Sequence, residues 1–182
     1  MAANIVETIQ TNLGYSPLQK IDPNIQDVKE NSDSRLAQAA IPAVLTALYT
    51  FTRTDDGCRA ILSPNENKDW LGEIYQGKEK EAAQKIADYA GMPLVQVEQH
   101  MENIADEAIK TIKIASGENE DPENIKTYMN DQRHNILVYL PAALNMGDLL
   151  HDEALDDRTN KMEGPVSNLM HKIEDKLSGG GS

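Results

Sequence analysis

The stretch SRLAQAAIPAVLTALYTF, residues 34 to 51, carries apolar side chains on almost every face of the helix it would form. A helix apolar all round is stable in water only when other elements cover it on every side. No run in the chain approaches the roughly 18 apolar residues of a membrane span, so this helix belongs at the centre of a protein pack. Pro42 lies inside it, removes one backbone hydrogen bond and predicts a kink.

What surrounds that centre is constrained by composition. Aromatic residues make up only 4% of the 182-residue chain, with one Trp and one Phe. The core must therefore be assembled from Ala, Leu, Ile, Val and Met, a palette that suits close-packed helices. Ile5, Ile9 and Leu13 recur every four residues before Gly14, which predicts a short first helix with a glycine stop. Residues 15–33 read as a connector, with a DPN turn at 22–24, and Ser32 or Asp33 is placed to cap the central helix. DDGCRAIL and KDWLGEIYQ predict two short helices, and KEKEAAQKIADYA a third.

Leu94, Val97, Met101, Ile104, Ala108 and Ile112 give the clearest helical period in the chain, between a Gly91 stop and the loop SGENEDPEN. Asp121 and Pro122 then open a long helix that includes Pro141. Pro165 starts an amphipathic helix over 164–177, and 178–182 is a flexible tail. No strand-like alternation of useful length occurs. The expectation is an all-α, single-domain bundle over 1–177, with seven or eight helices around two Pro-kinked ones at 34–52 and 122–152. IPAVL at 41–45 and LPAAL at 140–144 share a pattern that reads either as a duplicated unit or as coincidence among Ala/Leu-rich helices.

Charge and cysteine use narrow the function classes. Seventeen basic against 30 acidic residues leave a net charge of −13, a field that repels phosphate backbones and anionic lipid, so neither nucleic acid nor a membrane surface is the expected partner. Cys58 is the only cysteine, so an intrachain disulfide is impossible and a reducing compartment is the natural setting. MAANIVETIQ lacks the basic and apolar regions of a secretory signal. A bacterial cytoplasmic protein is expected.

Two Asp-x-x-His pairs, Asp131 with His134 and Asp148 with His151, have the spacing that helical bundles use for metal ligands. On one continuous helix they would stand roughly 25 Å apart, too far to share an ion. His151 would then project near the stripe of Leu137, Leu140 and Leu144 as a half-buried histidine, and no metal or other cofactor is expected. KIADYAGMPLVQVEQHM has a helix-turn-helix skeleton: Ala87 under the turn, Gly91 making it, Val97 anchoring the second helix. That second helix offers Gln96, Gln99 and His100 but no Arg or Lys, and adds Glu98 and Glu102, so the motif reads as packing without DNA binding. Cys58, near a helix start beside Arg59 but flanked by Asp55 and Asp56, reads as a packed thiol.

Interaction surfaces are the remaining class. The stripe Val166, Leu169, Met170, Ile173 and Leu177 closes over the bundle or docks onto a second copy or another protein. LGYSPLQ, residues 13–19, is a second docking element.

Two stretches carry a family resemblance. IPAVLTALYTFTRTDDGCRAIL resembles the Pro-Ala-x-Leu helix, acidic-Gly turn and short following helix of the YidB-like bacterial proteins. IADYAGMPLVQVEQHMENIADEAI is similar to their helix, Gly turn and Gln-containing second helix. Together they span about a quarter of the chain. The resemblance implies an all-helical fold and brings no activity, cofactor or catalytic residue; the Gly-rich segments common in that family are missing here. The leading reading is a non-enzymatic interaction or structural module. Behind it stand a metal-binding or hydrolytic bundle using Asp148 and His151, and a degenerate helix-turn-helix regulator.

Overall fold

A computed structural model describes residues 2–21, 31–64, 67–152 and 155 of the chain. Among them are eight α-helices and no strand. The first, α1 (Ile5–Asn12), starts where Asn4 accepts the Val6 N–H, and it buries Ile5, Val6 and Ile9. Gly14 follows with φ +72°, the left-handed step that turns the chain away.

The central helix α2 (Ser32–Phe51) is capped by Asn31, one residue ahead of the Ser32 or Asp33 that the sequence suggests. Every residue from Leu36 to Leu48 is buried. Pro42 sits within α2 without ending it. Next come α3 (Asp55–Leu62), α4 (Trp70–Tyr75), α5 (Glu79–Ala90), α6 (Leu94–Ser116) and α7 (Pro122–Leu137). Helices α1, α4, α5, α6 and α7 all pack on α2, which is the enclosure its apolar faces require.

Local chemistry sets the joints. Thr54 caps α3 by accepting the Gly57 N–H at 3.1 Å. A Cβ at Gly57 would overlap the Phe51 carbonyl oxygen, so only glycine lets α3 start this close to the end of α2. Gly91 has φ +66° and ends α5; Asp121 accepts the Glu123 N–H at 3.0 Å, and Pro122 opens α7. The buried side chains form one continuous core reaching from Ile5 to Leu155.

The expected second kinked helix over 122–152 is corrected. Helix α7 stops at Leu137; Pro141 is extended (φ −65°, ψ 130°), Ala142–Leu144 make one 3-10 turn, and Asn145 is left-handed at φ +46°. A single turn, α8 (Met146–Leu149), follows. A proline disfavours helix at the residue before it, and here Ala142 and Ala143 beyond it are exposed. Beyond them Leu144, Met146 and Leu149 reach the core from a 3-10 turn and a single helical turn, so their burial does not require α7 to continue. The terminal helix expected over 164–177, the tail 178–182 and the DPN turn lie outside the described residues.

Candidate functional site

The two acid–histidine pairs are separated by the break after α7. Asp131 and His134 are exposed on α7, Asp148 is exposed on α8, and His151 follows it with φ +55°. His151 is exposed, not half-buried as the helical stripe suggests, because the helix that would carry it inward ended at Leu137. Its Nε2 lies 2.8 Å from the Lys78 ammonium, which also donates to the Leu149 carbonyl at 3.1 Å. Lysine has donors only, so Nε2 is the acceptor in this contact. That occupies the lone pair a metal ion would need. Among the described residues no group of three or more His, Cys, Asp or Glu side chains is arranged to hold a metal.

The hairpin of α5 and α6 has the expected packing: Ala87 and Val97 are buried on either side of Gly91. Gln96 and Gln99 are exposed, but His100 is engaged, its Nδ1 lying 2.7 Å from the Tyr15 hydroxyl. Burial pushes the Tyr15 phenol up, so the hydroxyl stays protonated beside the imidazole. Asn12 ties α1 to the same helix through Glu107 at 2.8 Å. The N-terminal segment thus lies against the helix that a DNA reader would keep clear.

Cys58 is fully buried and its thiol donates to the Thr52 carbonyl at 3.1 Å. Burial raises its pKa, the opposite of what a nucleophilic cysteine needs.

Where α2 meets α7, Tyr49, Thr52, Arg53, Lys126 and Asn130 line an open cleft of about 290 Å³. Its cations already have carboxylate partners. Arg53 pairs with Asp152 at 2.5 Å, and Lys126 with Asp55 and with Glu123 at 3.2 Å. The Lys126 hydrogen bond holds the Asp55 carboxyl below the usual range, and Asp55 in turn raises Lys126. This cleft is a seam between helices. Large apolar side chains exposed among the described residues are Val95 and Ile114, at opposite ends of α6, where they do not meet as a patch.

No family model, curated protein or solved structure matches the chain.

The feature that sequence reasoning missed is a pair of buried glutamines, Gln38 on α2 and Gln132 on α7, 2% and 1% exposed. Each spends its amide on backbone. Gln132 accepts the Ile5 N–H and donates to the Ala3 carbonyl, both at 3.0 Å. Gln38 accepts the Gln19 N–H at 2.8 Å and donates to the carbonyls of Gln19 and Tyr139 at 3.0 and 2.6 Å. A buried primary amide must find such partners or leave costly orphans. A lone Gln inside the apolar run around Ile41 was the available signal, because burial of that run was legible and a polar residue within it needs a dedicated partner.

Proposed function

We propose that this chain is a non-enzymatic interaction module, a helical scaffold that associates with a second copy or a protein partner through the stripe Val166, Leu169, Met170, Ile173 and Leu177. What supports the reading is how the polar side chains are spent. Gln38 and Gln132 fix backbone, Arg53 and Lys126 fasten helix ends, and Lys78 is committed to His151. The two stretches that resemble YidB-like proteins form α2 with α3 and α5 with α6. Both are packing elements, in keeping with a role without chemistry. We place this role in the bacterial cytoplasm on the single cysteine; among the described residues no helix is long and apolar enough to cross a membrane.

The test is light scattering on the full chain and on a chain ended after residue 164. The module reading expects an oligomeric mass for the first and a monomer for the second; equal masses count against association through the stripe. A metal-binding or hydrolytic bundle would instead yield stoichiometric metal that is lost in His151→Ala. A degenerate helix-turn-helix regulator would retard random duplex in a salt-sensitive way.

A further inference from the structure

We infer that the trough over Gln38 is a binding site for an extended peptide segment, and that residues 15–21 of the chain itself occupy it at rest. This surface uses none of the residues of the C-terminal stripe, so the two proposals are tested separately.

The reason lies in what holds the segment. After Gly14 the chain from Tyr15 to Ile21 is neither helix nor strand, and four of its seven residues are exposed. Gln38 pairs with both the N–H and the carbonyl of Gln19, as a neighbouring strand would, and the Ile21 N–H donates to the Val138 carbonyl at 2.7 Å. The break after α7 is what leaves the Val138 carbonyl available to a segment from elsewhere. These are bonds to main chain, which any non-proline residue can supply. Side-chain anchoring is concentrated at a few points: Tyr15 bonds to His100, Leu18 and Ile21 are half-buried, and Ser16, Pro17, Gln19 and Lys20 are exposed. Beyond Tyr15 the segment is held largely through its main chain, which places that part toward the less stable end of the fold.

The trough is also underfilled. Beside the segment lies an open cleft of about 250 Å³, lined by Val6, Gln10, Thr11, Pro17, Leu18 and Tyr139, with Glu7 at its side. A bulkier apolar side chain in place of Leu18 would enter that space. The chain's own segment is therefore an improvable ligand, and the geometry states what a better one looks like. It is extended and has a large apolar residue at the position of Leu18. It needs a free N–H and carbonyl at the position of Gln19, and a free N–H at the position of Ile21. A buried amide left without its backbone partner is costly, so displacement must be exchange: the resting segment leaves as the incoming peptide takes over both bonds to Gln38.

Fluorescence anisotropy on the full chain tests this, with a labelled heptapeptide copy of residues 15–21 carrying Leu18→Trp as the probe. In the protein, Gln19→Pro removes the N–H that Gln38 accepts and frees the trough. The probe should bind that variant at least about 10-fold more tightly than it binds the unaltered chain, because self-occupancy lowers apparent affinity by the fraction of open sites. A second probe that also carries Gln19→Pro should bind neither protein, and this control does not depend on the folding of any variant. Gln38→Leu in the protein should abolish binding of the first probe. The inference is overturned if the first probe shows no saturable binding to the Gln19→Pro protein, or if both probes bind it equally.

Discussion

The segments Ile41–Leu45 and Leu140–Leu144 share the pattern apolar-Pro-Ala-x-Leu and end in opposite structures. In the first, helix continues through Pro42 for two further turns; in the second, helix has already stopped at Leu137 and Pro141 is extended. The prolines carry the same local penalty, since each lacks an N–H and crowds the preceding turn. The surroundings differ. Residues on both sides of Pro42 are buried against other helices, so ending α2 there would expose apolar surface along the rest of its length. Thr46 also donates to the Pro42 carbonyl at 2.6 Å. Beyond Pro141 the alanines face solvent and Asn145 turns left-handed, while Leu144, Met146 and Leu149 are buried without a continuous helix. A proline ends a helix when nothing beyond it requires the helix to continue. The duplicated-unit reading of the two segments finds no support in their conformations.

The comparison can be broken at an alanine within two residues after each proline. Ala43 is wholly buried and Ala143 is exposed. Ala43→Leu overpacks the core and should cost about 1–3 kcal/mol, while Ala143→Leu should stay within about 0.5 kcal/mol; denaturant midpoints at constant slope read both. Equal losses would mean the second segment is as enclosed as the first.

The prolines themselves should give changes of opposite sign. Pro42→Ala supplies the Gln38 carbonyl with its missing helical donor and should raise stability by about 1 kcal/mol. Pro141→Ala loosens the unfolded chain and removes a buried ring, and should lower stability by about 1 kcal/mol. Thermal unfolding of the pair decides the matter, and a gain at both positions would remove the distinction.

The turn that carries the second segment away rests on a left-handed residue, φ +46° at Asn145. Asn145→Ala should cost about 1 kcal/mol, because alanine enters that region at a steric penalty that asparagine largely avoids. The matching test in α2 is Thr46→Ala, which removes a buried side chain and its bond to the Pro42 carbonyl and should also cost about 1 kcal/mol.

The smallest effect concerns how α7 is fastened ahead of its break. Asp55 has a lowered pKa owing to Lys126, so their pair contributes above the ordinary aspartate range and is lost as pH falls through the lowered value. Stability of the unaltered chain and of Lys126→Met should therefore differ slightly near neutrality and converge in acid. A gap that widens in acid would show that Lys126 acts through another partner.

Much of the fold was legible because it rests on local periodicity. The stops at Gly14 and Gly91, the cap at Asp121 and the buried face from Val97 to Ile112 follow from short-range sterics and from the 3.6-residue period. Cys58 was likewise readable as a packed thiol. Less legible was anything that depended on a neighbour distant in sequence. His151 was placed by extrapolating a helix past Pro141, and Lys78, which meets it, lies in a different element. LGYSPLQ stood out as a docking element, but its partner Gln38 did not, because an amide in an apolar run gives no sign of which backbone it will hold.

From the amino acids alone came an all-helical chain around one enclosed centre, for the amount and spacing of apolar side chains are properties each segment carries with it. Only tertiary structure decided that Pro42 is tolerated and Pro141 is not, and that two buried amides hold the N-terminal segment. Those outcomes turn on how much surface neighbouring elements cover and on where distant backbone groups arrive, which no single segment specifies.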